Sequence, residues 1–107
     1  AVQLQGNNTV SGDVGLTTAN YTILYLLGNG GPSAYTSRAW GNGINIIYLG
    51  GSLTTAEVDK LIIDLSAATF AGDKLLNLAN GTNGPRSAAS DAAVTSLQAQ
   101  GVTVTTF

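Results

Sequence analysis

One six-residue pattern recurs along this chain and constrains its fold more than any other feature. It is clearest at Leu24-Tyr25-Leu26-Leu27-Gly28-Asn29, where two apolar residues stand two apart and an Asn follows three later. The same register recurs at Val2–Asn7, Ile47–Ser52, Leu76–Gly81 and, most loosely, Val102–Phe107. First positions 2, 24, 47, 76 and 102 are spaced by 22, 23, 29 and 26 residues. A period of about 20–29 residues is that of a solenoid turn carrying one short strand. Apolar residues two apart share one face of a strand. A single turn cannot bury that edge, so stacked turns should make one core from Val2/Leu4, Leu24/Leu26, Ile47/Leu49, Leu76/Leu78 and Val102/Val104.

The segments between these strands are uneven. Thr9–Thr22 is rich in Gly, Thr and Asn without helical period, and reads as an irregular return path with Val10, Val14 and Leu16 inward. Ile23–Leu27 is the second strand, ended by Gly28-Asn29-Gly30-Gly31-Pro32. Ser33–Gly43 carries Tyr35, Arg38 and Trp40, with a short helical turn expected at Ser33–Trp40. After the third strand, Ile44–Leu49, comes the strongest local signal. Thr54 and Glu57 form a capping box, flanked by Leu53 and Val58 at the positions of a hydrophobic staple. Apolar residues at 58, 61, 62 and 65, widened by Ile63, then predict a helix from Thr55 to residue 67 or 68. Phe70 packs back, Gly72-Asp73 turns the chain, and Lys74–Ala79 is the fourth strand. Ser87 or Ser90 caps a second helix whose inward positions are Ala89, Ala93, Val94 and Leu97, with Gly101 at its left-handed end. Val102–Phe107 is the last strand. Crossovers this long make consecutive strands parallel.

At 107 residues the chain is one domain. There is no Met, so residue 1 is not a translation start, and the expectation is a processed chain or part of a longer protein. Charged residues make up 9%, against roughly 25% for an ordinary soluble domain, so polarity here rests on Thr, Asn, Ser and Gly. A net charge of −2 without a basic cluster gives nucleic acid nothing to hold. With no Cys and no His, disulfides and thiolate or imidazole metal sites are excluded, and no cofactor is expected. No apolar run approaches the roughly 20 residues of a membrane-spanning helix.

The strand register resembles the leucine-rich-repeat superfamily. The helix-to-strand stretch Leu53–Ile62 before Leu76–Gly81, and the closing stretch Ala92–Val104, are similar to segments of bacteriophage structural or tail-associated proteins and bacterial surface proteins. The resemblance implies an α/β fold: a short solenoid of about five parallel strands, with convex-side helices in the C-terminal half. It also implies a virion or cell-surface location. It covers residues 44–107 well and 1–43 through the strand pattern alone. The chain departs from it at the Asn position, occupied by Ser52, Gly81 and Phe107 in the last three repeats, which puts a continuous Asn ladder in question.

The carboxylates point away from catalysis. Glu57 is accounted for by the capping box, Asp59 and Asp64 read as solvated charges on the first helix, and Asp73 and Asp91 as turn and helix-start residues. No pair faces another across a cleft, and Ser or Thr nucleophiles lack their commonest base. Lys60 and Lys74 read as surface groups. The expectation is a protein that is not an enzyme.

The informative feature is the sheet face opposite the core. Alternation puts Ile23, Tyr25 and Leu27 on it, then Ile46 and Tyr48, then Leu75 and Asn77, with Thr103, Thr105, Gln3 and Gln5 extending the columns. A solvated face should be polar, whereas an apolar patch of a few hundred Å² marks a contact surface. Three occupants compete. The first is another subunit or domain, as in a structural or assembly module. The second is the chain's own loop, with Tyr35 or Trp40 folded over the face. The third is a glycan, as in an adhesin-type module, with Tyr25 and Tyr48 on sugar faces and Asn77 and Gln3 bonding hydroxyls; Tyr35–Trp40 is the fallback site for such a ligand.

Overall fold

The computed structural model describes residues 12–16, 22–26 and 32–107 in full and residues 2–4 by their backbone. Val10, Leu27, Gln5 and the Gly28–Gly31 turn lie outside the described residues, as do the side chains of Val2, Gln3 and Leu4. The fold is mixed α/β, a parallel sheet with two helices. The strands are β1 (Val2–Leu4), β2 (Ile23–Leu26), β3 (Ile44–Leu49), β4 (Phe70–Asn77) and β5 (Thr103–Thr105), lying side by side in sequence order. The helices are α1 (Thr55–Ser66) and α2 (Asp91–Ala99), the latter entered through a short 3₁₀ turn, Ala88–Ser90.

Register follows the repeat. Val2 lies opposite Leu24, Leu24 opposite Ile47, and Ile47 opposite Leu76. The last step departs from the sequence alignment: Leu76 faces Val104, not Val102, a slip of two residues that keeps the inward face inward. Val102 is still buried, at 3% exposure, but in the turn that closes α2 rather than in β5. Leu24, Leu26, Ile47, Leu49, Leu76 and Leu78 are buried on one side of the sheet, in a single cluster with Val58, Leu61, Ile62 and Leu65 of α1 and Val94 and Leu97 of α2. Fully burying one such aliphatic side chain contributes roughly 1.5–3 kcal/mol, so this cluster holds the two helices against the sheet.

Helix α1 starts where its capping box places it. Thr54 Oγ1 accepts from Glu57 N at 3.2 Å, and Thr54 N donates to Glu57 Oε1 at 3.0 Å. Ile63 is exposed and does not widen the buried stripe. Ser87 caps the 3₁₀ turn by accepting from Ala89 N, while Ala89 itself is exposed, contrary to its assignment as an inward position. Helix α2 ends on Gly101 at φ 87°, with Gly101 N donating to Gln98 O and Val102 N to Leu97 O, the paired bonds of a Schellman motif.

Strand β4 begins four residues earlier than its alternation suggests. Phe70 pairs with Ile44, and Leu75 with Ile46, so two steps along β3 match five along β4. The surplus bulges out at residues 71–74, where Gly72 (φ 72°) and Lys74 (φ 55°) take left-handed conformations. Asn45 Oδ1 holds the bulge by accepting from Asp73 N at 2.7 Å. What reads as a turn before the strand is therefore a bulge within it.

No helical turn forms at Ser33–Trp40. The segment is irregular, with Ala34 bridging Asp13 in parallel, and it hydrogen-bonds to α1. Gly15 is required for this approach, since a Cβ there would lie 1.8 Å from Thr36 O.

Candidate interaction face and the carboxylate ties behind it

The pairing assembles the outward columns as the alternation predicts. One column runs Ile23, Ile46, Leu75, Thr103; the other runs Gln3, Tyr25, Tyr48, Asn77, Thr105. Ile23, Tyr25, Ile46, Tyr48, Leu75 and Asn77 are all half-buried, whereas their sequence neighbours on the core side are buried. The Tyr25 and Tyr48 rings stack, with centroids 4.8 Å apart and planes 25° from parallel. Such a cross-strand aromatic pair contributes roughly 0.5–1.5 kcal/mol beyond its area. Asn77 Oδ1 is already occupied, accepting from Ala79 N and Asn80 Nδ2, both at 3.0 Å. None of the six described residues in the two central column stretches is charged.

Tyr35 and Trp40 do not join this face. They are buried in the core cluster, at 3% and 7% exposure, with their rings stacked 6.4 Å apart. Tyr35 Oη donates to Asp64 Oδ2 at 2.6 Å and accepts from Trp40 Nε1 at 3.0 Å. The guanidinium carbon of Arg38 lies 4.4 Å over the Trp40 ring. The loop thus closes the helix side of the molecule, so the idea that Tyr35 or Trp40 folds over the outward face is corrected. Burial, followed by the Asp64 carboxylate, pushes the Tyr35 phenol well above its ordinary value.

The acidic residues read as solvated carry much of this packing. Asp64 also accepts from Ser37 Oγ at 2.8 Å and Arg38 N at 3.1 Å. Glu57 accepts from Tyr35 N at 2.7 Å with the oxygen its capping box leaves over. Asp59, at 6% exposure, accepts from Ser87 N at 2.9 Å, Ser87 Oγ at 2.5 Å and Ser90 Oγ at 2.6 Å. Asp13 accepts from Gly15 N and Thr36 N, both at 2.8 Å, and from Thr36 Oγ1. Each carboxylate therefore ties one non-strand segment to the next: 13–15 to 34–36, 35–38 to α1, and α1 to 87–90. The Thr36 hydroxyl holds Asp13 below the usual carboxylate range. Burial pushes Glu57 and Asp59 up, but their hydrogen bonds outweigh it and hold both low.

Two amides that carry no periodic signal complete the ties. Asn83, at 4% exposure, accepts from Leu53 N at 3.1 Å and donates to Leu49 O and Leu78 O, both at 3.1 Å. It joins the ends of β3 and β4, from a position two residues beyond Gly81. The dipeptide Asn83-Gly84 was the available signal. Gln100 accepts from Phe70 N and donates to Ala68 O, both at 3.0 Å, anchoring the start of β4 to the end of α2. Among the described residues no buried side-chain nitrogen or oxygen lacks a hydrogen-bond partner.

Among the described residues no three acidic side chains gather as a metal site, and no helix is long and apolar enough to cross a membrane. No protein-family model matches the chain, no curated protein matches its sequence, and no solved structure matches its fold.

Proposed function

We propose that this chain is a non-enzymatic structural or assembly module, a short leucine-rich-repeat-like solenoid that makes protein contacts through its outward sheet face. The observation that carries the reading is the uncharged column Ile23–Ile46–Leu75 beside the stacked Tyr25–Tyr48 pair. An apolar strip on a chain with so few charges is better matched by another protein surface than by water. Strands in sequence order, one per repeat, and an asparagine linking successive strand ends support the solenoid reading. A virion, as in a bacteriophage, or a cell surface is the setting that the resemblance implies.

The adhesin reading fares less well on one observation. Tyr25 and Tyr48 spend a ring face on each other, and Asn77 Oδ1 is committed to its own turn. A sugar would therefore meet one remaining face of each ring and half an amide. Solution mass by light scattering, over a roughly hundredfold concentration range, tests the assembly reading, because a protein-contact module should hold a defined oligomer or take up a fixed partner. A clean monomer that binds immobilised glycans, and loses that binding on Tyr48→Ala, would replace it with the adhesin reading.

A further inference from the structure

Three Asn-Gly steps lie among the described residues: Asn42-Gly43, Asn80-Gly81 and Asn83-Gly84. Asn-Gly is the dipeptide most open to self-modification, because a glycine amide nitrogen attacks the preceding Asn side chain with little steric hindrance. Nitrogen of Gly bonds to Cγ of Asn, and the Cγ–Nδ2 bond breaks. Ammonia leaves, carrying the proton given up by the backbone nitrogen, and a cyclic succinimide remains. Water then adds to one of its two carbonyls, giving aspartate or isoaspartate. The reaction needs no other reagent, so local structure decides which step undergoes it.

The geometry points to Asn42 as the modification site among these three, a deamidation and isoaspartate site in the loop leading into β3. Asn42 is exposed, and its side chain has no hydrogen-bond partner among the described residues. The attacking nitrogen, Gly43 N, donates only a long bond of 3.3 Å to Thr69 Oγ1, close to the limit of a hydrogen bond. Gly43 sits at φ 75° with open space where a Cβ would be.

The other two steps are held. The Asn83 side chain is buried and makes three hydrogen bonds, and Gly84 N donates to Leu53 O at 2.7 Å. Asn80 is half-buried, its Nδ2 donates to Asn77 Oδ1, and Gly81 is pinned in the bridge to Gly51. Both must open locally before the nitrogen can reach the side chain, and a protected site reacts only through its open fraction.

The chemical consequence is specific. Deamidation adds a carboxylate to a loop that carries none, two residues from Trp40 and two from Ile44. In the isoaspartate product one extra backbone carbon enters the chain immediately before β3, the strand that carries Ile46 and Tyr48. The site is therefore placed to age the proposed contact face without touching it.

The test is incubation of the whole folded chain in warm, mildly alkaline buffer, with peptide mapping that separates aspartate from isoaspartate and reads the gain of about one mass unit at each Asn. The expected result is conversion at Asn42 at least about tenfold faster than at Asn83, with Asn80 between them. In concentrated urea the three sites should converge, which locates the difference in the fold rather than in the dipeptides. Equal rates in the folded chain, or faster loss at Asn80 or Asn83, would overturn the assignment. Asn42→Gln should abolish the fast phase at this loop while leaving thermal unfolding unchanged, and survival of a fast phase there would also count against it.

Discussion

Tyr35 Oη donates to Asp64 Oδ2 at 2.6 Å, across 29 residues of sequence, and fastens an irregular loop to the last turn of helix α1. The same hydroxyl accepts from Trp40 Nε1, so one oxygen organises both aromatic side chains of the loop.

Replacing Tyr35 by Phe removes both bonds and keeps the ring. The expected loss is about 2 kcal/mol, since one partner is a carboxylate and the pair is buried from water on the ring side. Urea denaturation should show a lower midpoint with an unchanged slope. The pH dependence is a second readout. The native phenol sits above its ordinary value, so beyond about pH 10 the unfolded chain loses a proton that the folded chain keeps. Stability should fall as pH rises through that range, and the Tyr35→Phe variant should lack this component of the fall.

Asn83 tests the tie between the ends of β3 and β4. Its side chain meets one amide N–H and two carbonyl oxygens, all in buried surroundings. Asn83→Ala strands these three backbone groups, and leaving a buried polar group unsatisfied costs about 1–3 kcal/mol. We expect a loss of about 3 kcal/mol or more, large for a chain of this size. Asn80→Ala, which removes a single half-buried bond, should cost less than 1 kcal/mol. Similar losses in the two variants would show that the ends of β3 and β4 are held by packing alone.

Much of this architecture is legible in local sequence. The bounds of β3, the Thr54–Glu57 cap and the left-handed Gly101 depend on neighbours within one turn or one strand, and those neighbours are adjacent in the chain. The outward columns are legible too, because period-two alternation is a local property. The failures share a cause. Asp59, Asp64, Asn83 and Gln100 take partners roughly 26–34 residues away, and alternation says nothing about those distances. The bulge at 71–74 is hidden for the same reason. Gly72-Asp73 has the composition of a turn, and only the opposing Ile44–Ile46 register makes it part of a strand. Tyr35 and Trp40 carried no periodic signal, so neither side of the sheet could be assigned to them in advance.

The carboxylate ties predict an acid-sensitive fold. Asp13, Glu57 and Asp59 all hold their protons less tightly in the native state than in the unfolded chain. Their contribution is fully present above the ordinary carboxylate range, about pH 4 to 4.5, and is lost as pH falls through the lower native values. Asp59→Asn isolates the buried member. Its amide nitrogen cannot accept from Ser87 or Ser90, so we expect a loss of about 2 kcal/mol at neutral pH. The gap between variant and wild type should narrow as pH drops below 4, measured by urea titration at each pH. A gap that stays constant into acid would mean that Asp59 contributes shape rather than charge.

The contact face is tested by placing a charge at its centre. Ile46 lies between Ile23 and Leu75 in the outward column and is half-buried, so Glu can reach water in the free chain. The fold should therefore survive Ile46→Glu, with a loss of about 1 kcal/mol or less from strand propensity. In an interface the same carboxylate would be desolvated against an apolar partner, a penalty of several kcal/mol and a loss in affinity of more than about a hundredfold. Light scattering should then show dissociation of any oligomer, with circular dichroism unchanged. Thr105→Glu, at the exposed end of the neighbouring column, is the control and should leave assembly intact. If Ile46→Glu assembles like wild type, protein contacts run through some other surface, and the stacked Tyr25–Tyr48 pair then stabilises the sheet without recognising a partner.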